Sequence, residues 1–122
     1  MAKSVLVVDD SASVRQVVGI ALKSAGYDVI EASDGKDALG KLNGQKVHLI
    51  ISDVNMPNMD GITFVKEVKK LASYKFTPII MLTTESQESK KQEGQAAGAK
   101  AWVVKPFQAA QMLAAVSKLI LP

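Results

Sequence analysis

The feature that most constrains the fold of this chain is a regular alternation of short apolar runs with longer amphipathic segments. The runs are rich in valine and isoleucine, and they span Val5–Val8, Val29–Ala32, Val47–Ser52, Pro78–Thr83 and Ala101–Val104. Continuously apolar strands of this kind are typical of a sheet that is covered on both faces. Five such strands alternating with five helices predict parallel pairing through right-handed crossovers, and therefore an α/β fold.

The segments between the runs carry apolar residues at helical spacing. The predicted buried face of the first helix consists of Val14, Val17, Val18, Ala21, Leu22 and Ala25. Gly26 and Gly44 are expected to end the first and second helices. Linkers, internal repeats and low-complexity segments are absent from the sequence. We therefore expect residues 1–122 to form one domain without a separate output domain.

Composition excludes several classes of protein. Of the 122 residues, 48% are hydrophobic, which is enough for one core. No apolar run reaches the roughly 18 residues of a membrane span, and no signal-peptide pattern opens the chain, so a cytoplasmic location is predicted. The absence of cysteine excludes disulfides and thiolate metal sites. The net charge is +3, but the lysines are scattered, so we expect no nucleic-acid partner.

Polar residues follow or end four of the predicted strands. Asp9 and Asp10 follow the first, Asp53 the third, Thr83 ends the fourth, and Lys105 follows the fifth. In an open parallel sheet, ligands bind outside the carboxyl ends of the strands, where the strand order reverses. The sequence therefore predicts that these side chains meet at one edge of the sheet. Capping of the first helix is the alternative reading of Asp9 and Asp10.

The chemistry of such a cluster favours phosphoryl transfer. Three close carboxylates repel one another, and a cation relieves the repulsion. Oxygen ligands suit Mg²⁺, which together with Lys105 would balance the three negative charges. A carboxylate is an established nucleophile toward phosphoryl groups. Once Asp53 carries the phosphoryl group, Thr83 and Lys105 could donate hydrogen bonds to it.

Four motifs resemble the response-regulator receiver domains, a family that includes the single-domain chemotaxis regulators. They are VLVVDDS, IISDVNMPNMDG, IIMLTTES and GAKAWVVKPF, and they occur in the family's order across essentially the whole chain. The resemblance implies a flavodoxin-like, doubly wound, five-stranded parallel sheet of order 2-1-3-4-5 with five helices.

The resemblance also implies roles for the acidic cluster. Asp53 corresponds to the phosphoacceptor of the family. Asp10, Asp53 and the backbone carbonyl of Asn55 correspond to the direct ligands of Mg²⁺, and Asp9 is expected to reach the metal through water. Pro57, Asp60 and Gly61 are expected to shape the turn after the third strand and to start the next helix, without a chemical role of their own.

Three further positions correspond to the family's switch. Thr83 and Lys105 resemble the pair that senses the phosphoryl group. Trp102 occupies the position of the switch aromatic residue, where relatives usually carry Tyr, Phe or His. The bond between Lys105 and Pro106 is expected to be cis, as in relatives. His48, the single histidine, is interpreted as a structural residue inside a strand and not as a phosphoryl carrier.

The resemblance implies a stoichiometric signalling protein that catalyses its own phosphorylation and dephosphorylation, and not an enzyme that turns over a metabolite. The phosphodonor would be a histidine kinase of the CheA type. Its partners would include the flagellar motor switch protein and a phosphatase, in chemotaxis or motor control. An alternative is a phosphate sink or an intermediate phosphorelay receiver that does not bind the motor. A Mg²⁺-dependent aspartyl phosphatase and a degenerate docking module were the competing classes.

The fourth predicted helix, at Gln87–Ala97, departs from the chemotaxis pattern. It lacks an apolar stripe, its middle is Lys90, Lys91 and Gln92, and it contains Gly94. Glycine inside a helix costs about 1 kcal/mol relative to alanine. We therefore expect this helix to exchange its amides fast in the resting protein. The family resemblance implies that the output surface lies on helix four, strand five and helix five. A stable, solvated helix is the alternative.

Overall fold

The computed structural model of the chain describes residues 2–84, 88–105 and 108–121. Its strands are β1 (Ser4–Val8), β2 (Asp28–Ala32), β3 (Leu49–Asp53), β4 (Ile79–Thr84) and β5 (Ala101–Lys105). Its helices are α1 (Ala12–Ser24), α2 (Gly35–Lys41), α3 (Gly61–Lys69), α4 (Glu88–Ala97) and α5 (Ala109–Leu119). The strands form one parallel sheet of order β2-β1-β3-β4-β5, which confirms the predicted fold.

The sheet separates two apolar cores, and this explains why its strands read as continuous apolar runs. Successive side chains of a strand point to opposite faces. Leu6 and Ile50 accordingly pack with side chains of α2 and α3 on one face. Val5 and Leu49 pack with α1 and α5 on the other. The central strands β1, β3 and β4 therefore require apolar residues at consecutive positions, whereas the edge strand β2 has exposed Asp28 and Glu31.

The strand register brings the carboxyl ends of the central strands together. Val8, the last residue of β1, pairs with Ser52 of β3. Asp53 pairs with Leu82 of β4, and Lys105 of β5 pairs with Thr84 of β4. The polar residues that end or follow these strands therefore lie at one edge, as predicted.

Local sequence sets the ends of most helices. The N-cap side chains of Ser11, Asp34 and Asp60 each accept a hydrogen bond from the backbone N–H three residues on, as capping residues do. Gln108 precedes α5 without such a bond. Gly26, which follows the first helix, has a φ of 94°, where glycine is favoured because it has no Cβ.

Val17 is an exception to the predicted core, because its side chain is 56% exposed. Val18 and Leu22 of the same helix are fully buried. With 3.6 residues per turn, Val17 lies 100° around the helix axis from Val18, so both cannot point to the sheet. The predicted face was therefore too wide, and Ala25, which caps the end of the helix, is also exposed.

His48 has a structural role in the sheet. Its Nδ1 accepts a hydrogen bond of 3.0 Å from the backbone N–H of Ser4, and the backbone N–H of His48 donates to the Ser4 carbonyl. These contacts tie β1 to the residue before β3, which supports the structural interpretation. Among the described residues, no helix is long and apolar enough to cross a membrane.

Candidate functional site

Three carboxylates meet at the carboxyl edge of the sheet. Asp9, Asp10 and Asp53 each place one oxygen within 4.8 Å of the other two. Asp9 and Asp53 are buried, whereas Asp10 is exposed. An all-oxygen donor set that is open to water on one side fits Mg²⁺, which retains several water ligands. The predicted cluster is thus assembled by the fold, and its chemistry suits this cation.

Lys105 links two of these carboxylates. Its Nζ lies 3.1 Å from Oδ2 of Asp9 and 3.2 Å from Oδ1 of Asp53. Burial alone would lower the pKa of Lys105, but the charges of Asp53 and Asp9 together outweigh burial and raise it. The ammonium therefore stays charged and offsets part of the repulsion within the cluster.

The contact with Lys105 does not fully offset the free-energy cost of the negative charge on Asp53. Burial is the main reason that its pKa is raised, and the nearby charge of Asp9 adds to the effect, while Lys105 opposes it. Oδ1 of Asp53 also accepts a hydrogen bond of 2.8 Å from the N–H of Val54. The contacts with Val54 and Lys105 both use Oδ1. The second oxygen, Oδ2, takes part in neither of them, which suits a nucleophile.

The loop that contains Asn55 is held at both ends. The N–H of Val54 donates to the carbonyl of Leu82, and the N–H of Gly61 donates to the carbonyl of Val54 at 2.7 Å. This loop follows Asp53 directly, so Asn55 lies beside the acidic cluster along the chain. A role for its carbonyl as a metal ligand stays a prediction.

Thr83 is buried on β4, the strand between those of Asp53 and Lys105. It pairs with Val104 of β5, and Leu82 beside it pairs with Asp53. The fold therefore brings Thr83 to the predicted edge. Its role in sensing the phosphoryl group stays a prediction, and the isomer of the bond between Lys105 and Pro106 lies outside the described residues.

Trp102 connects β5 to α4. Its side chain is partly buried and packs against the core that lies under α2, α3 and α4. A Cβ added to Gly94 of α4 would lie 2.5 Å from Cζ3 of the Trp102 ring. Gly94 therefore provides the space that the indole occupies. The sequence had suggested only that this glycine weakens the helix, because a contact between α4 and β5 cannot be seen from local propensity.

Replacing Gly94 by alanine is expected to destabilise the protein by about 1–3 kcal/mol, because the added methyl group would displace the indole. Helix propensity alone predicts the opposite, a gain of about 1 kcal/mol. Urea unfolding measures the difference, and Trp emission reports the displaced ring. In a Trp102→Leu background the same substitution should be neutral or stabilising. A more stable single variant with unchanged emission would contradict this role of Gly94.

Two residues beside the site were missed or given too small a role from the sequence. A Cβ at Gly61 would lie 2.0 Å from the backbone oxygen of Asp53, so Gly61 lets the start of α3 approach the backbone of Asp53. Arg15 of α1 donates a hydrogen bond of 2.6 Å to the backbone carbonyl of Asp9. In the sequence, the one feature that could have indicated this contact is the position of Arg15, a cation just over one helical turn after Asp9 and Asp10.

A comparison with protein families matches residues 5–117 to the response regulator receiver domain. The chemotaxis protein CheY of Bacillus subtilis is 38% identical over 121 residues, which cover 98% of this chain and 99% of that protein. The alkaline phosphatase synthesis transcriptional regulatory protein PhoP of the same species is 38% identical over 120 residues. The match covers 98% of this chain but 49% of PhoP, so the chain spans about half the length of that relative.

Solved structures show the same likeness. The chemotaxis protein CheY4 of Vibrio cholerae has a TM-score of 0.93 and 50% identity, and the match covers 98% of this chain and 99% of that one. The receiver domain of the sensor histidine kinase PA1611 from Pseudomonas aeruginosa was solved with a magnesium ion coordinated in its active-site cleft. It has a TM-score of 0.89 at 25% identity, with 98% of both chains covered.

Proposed function

Because this chain belongs to the response regulator receiver domain family, we propose that it accepts a phosphoryl group on Asp53 in a Mg²⁺-dependent reaction. One observation carries the proposal above all. Lys105 joins the buried carboxylates of Asp9 and Asp53, while exposed Asp10 completes an oxygen cluster of a size that suits one cation. A cluster with only a structural purpose would not need a third carboxylate next to two that already repel each other.

The proposed reaction makes one bond and breaks one. Oδ2 of Asp53 attacks the phosphorus of a phosphohistidine, the P–O bond forms, and the P–N bond to the donor imidazole breaks. When bound, Mg²⁺ supplies positive charge to the phosphoryl oxygens and to the carboxylates. Lys105 is proposed to donate to a phosphoryl oxygen, which its distance of 3.2 Å from Asp53 supports. Thr83 is proposed as the second donor from the neighbouring strand.

Burial of the cluster supports this role electrostatically. Asp53 and Asp9 are shielded from water, so the charge of Lys105 acts on them more strongly than it would at the surface. The raised pKa of Asp53 means that its charge is costly before phosphorylation. Binding of a cation next to this carboxylate would relieve that cost, which links metal binding to reactivity.

The proposed setting is a two-component pathway in the cytoplasm, with a histidine kinase as the phosphodonor. A kinase of the CheA type, the flagellar motor switch and a phosphatase are the proposed partners, supported by the full-length similarity to CheY. Trp102 is proposed to report phosphorylation to α4 through its contact with Gly94. The proposed unit of function is a single receiver domain.

A specific observation favours a second candidate, a phosphate sink or intermediate relay receiver. Among the α4 side chains that the structure describes, the exposed ones belong to Gln92, Glu93, Gln95 and Ala96, and none of these is large and apolar. A partner surface usually needs a few buried apolar or aromatic anchors. Pull-down of candidate partners with and without Mg²⁺ and beryllofluoride, a phosphoryl mimic, distinguishes the two. Capture of the motor switch protein only with the mimic supports motor control, whereas capture of a histidine phosphotransfer protein alone supports the relay.

Mg²⁺ is expected to raise the melting temperature of the native protein. At a concentration about tenfold above the dissociation constant, linkage predicts a gain of about 1.4 kcal/mol, or a few degrees for a domain of this size. Asp10→Ala should abolish the rise. Asp28→Ala, which removes an exposed carboxylate at the opposite end of the strands, is the matched control and should keep it. Equal melting curves of the native protein with EDTA and with millimolar Mg²⁺ would count against the site.

A further inference from the structure

Arg15 is a largely buried cation that the proposed reaction does not use. Its side chain is 18% exposed, and it lies in the first turn of α1. Nη1 donates a hydrogen bond of 2.6 Å to the backbone carbonyl of Asp9. Nε donates to Oε1 of Glu31 on β2 at 3.1 Å. The guanidinium is therefore held by β2 and in turn holds the first residue of the acidic pair.

Asp9 is fixed at each of its polar groups. Its N–H donates to the carbonyl of Ala32, and its carbonyl accepts from Arg15. Its Oδ1 accepts from the N–H of Ser11, and its Oδ2 accepts from Lys105. The contact with Arg15 is thus the one that acts on the peptide group between Asp9 and Asp10, because the carbonyl belongs to that peptide.

Asp10 depends on this peptide more than its neighbours do. It is exposed, whereas Asp9 and Asp53 are buried and contact Lys105. The six atoms of a peptide group are nearly coplanar, so turning the Asp9 carbonyl also turns the N–H and changes the path to the Cα of Asp10. A rotation of this plane would move the Asp10 carboxylate relative to the cluster.

We propose that Arg15 is a positioning residue for the cation site: by clamping the carbonyl of Asp9, it holds the carboxylate of Asp10 within reach of Asp9 and Asp53. This inference rests on the proposed Mg²⁺ site. The loop that contains Asp9 and Asp10 is then ordered during folding, so its ordering does not oppose metal binding, which is the ordinary benefit of preorganisation. Loss of such a supporting contact typically weakens metal binding by about 10–100-fold.

The sign of the effect separates positioning from simple electrostatics. Arg15 is itself a cation near the cluster, and its charge alone repels Mg²⁺. Removing that charge should therefore tighten Mg²⁺ binding if electrostatics were the whole role. Positioning predicts the opposite, weaker binding, after the same substitution.

The test is a calorimetric titration of Mg²⁺ into the native chain and into Arg15→Met, which keeps an unbranched side chain but removes the guanidinium. We expect the dissociation constant to rise about tenfold. Arg15→Lys keeps the charge and one donor but loses the planar fork, and should fall between the two. Lys41→Met is the matched control. Lys41 donates to the backbone carbonyl of Glu31 at 2.6 Å, so its loss also removes a charge and a bond to a backbone oxygen, but not at Asp9.

Two further readouts distinguish positioning from a general loss of stability. Unfolding in EDTA measures stability without metal, and a purely structural role would lower it while leaving the dissociation constant for Mg²⁺ unchanged. Phosphorylation from acetyl phosphate should need more Mg²⁺ for half its maximal rate in Arg15→Met, yet reach the native rate at saturation. A lower rate at saturating Mg²⁺ with native half-saturation would overturn the proposal.

The remaining outcomes are also decisive. If the native chain binds no Mg²⁺, the proposed metal site fails, and the inference fails with it. If the native chain binds Mg²⁺ and Arg15→Met binds it equally or more tightly, only the positioning role is overturned. Should Arg15→Met fail to fold, native affinity in Arg15→Lys would contradict the need for the fork that contacts both Asp9 and Glu31.

Discussion

Replacing Asp53 by asparagine is expected to abolish phosphorylation while leaving the chain folded. The amide keeps the size of the side chain and can accept a bond from Val54, but it lacks a nucleophilic carboxylate oxygen. Labelling from a phosphorylated histidine kinase and from acetyl phosphate measures the effect, and we expect a loss of at least about a thousandfold, or about 4 kcal/mol in the activation free energy. Asp28→Asn, which changes an exposed carboxylate at the far end of β2, should label normally. Undiminished labelling of the Asp53 variant would refute the assignment.

The same variant should be more stable than the native chain without Mg²⁺ at neutral pH. Because the pKa of Asp53 is raised on folding, the folded protein binds its proton more tightly than the unfolded chain does. The protonated carboxyl of Asp53 therefore stabilises the folded protein at low pH. This stabilisation is lost as the pH rises from the pKa of the unfolded chain through the higher pKa of the folded protein. Asparagine resembles the protonated form, so its advantage should shrink on acidification. A variant that is less stable at neutral pH, with a difference that does not change with pH, would contradict this reasoning.

Gly61→Ala should cause a larger loss of stability than Gly94→Ala. Its Cβ would lie 2.0 Å from the backbone oxygen of Asp53 and 2.9 Å from the Cα of Val54, and backbone atoms cannot move aside as a flexible side chain does. We expect urea unfolding to show a loss of about 3 kcal/mol or more. Phosphorylation should also fall, because any relaxation moves Asp53 itself.

Gly40→Ala is the matched control for this prediction. Gly40 lies inside α2, and a Cβ there would meet nothing within 4 Å. Alanine should therefore stabilise the protein by about 0.4–1 kcal/mol. If Gly61→Ala were as harmless as Gly40→Ala, the close approach of α3 to Asp53 would not be required.

The position of the acidic cluster was predictable because it depends on features that are local in sequence. Each strand is a short apolar run, and parallel order places Asp9, Asp53 and Lys105 at one edge whatever the details of packing. The rotation of each helix about its axis is less well determined. Val17 shows this, because the predicted apolar stripe included a residue that lies 100° around the helix axis from buried Val18.

Contacts between elements distant in sequence were not predictable. Gly94 meets Trp102, and Arg15 meets both Asp9 and Glu31, only after helices and strands have packed. The sequence predicts that Gly94 weakens its helix, because glycine has a low helix propensity. The space that Gly94 leaves for the Trp102 ring can be seen only in the folded structure. Such tertiary contacts routinely override local preference.

The ion pair between Asp9 and Lys105 also has a consequence for the order of folding. Its two partners are separated by 96 positions, so it closes a loop that contains most of the chain. During synthesis the aspartates that follow β1 and end β3 emerge well before β5, and the ammonium that offsets their charge emerges near the end. Contacts of such high sequence separation form late, because the chain loses loop-closure entropy before these contacts stabilise it. A nascent chain that stops before β5 would therefore hold the carboxylates without their counter-charge, and competence to accept a phosphoryl group would arise only when the last strand docks.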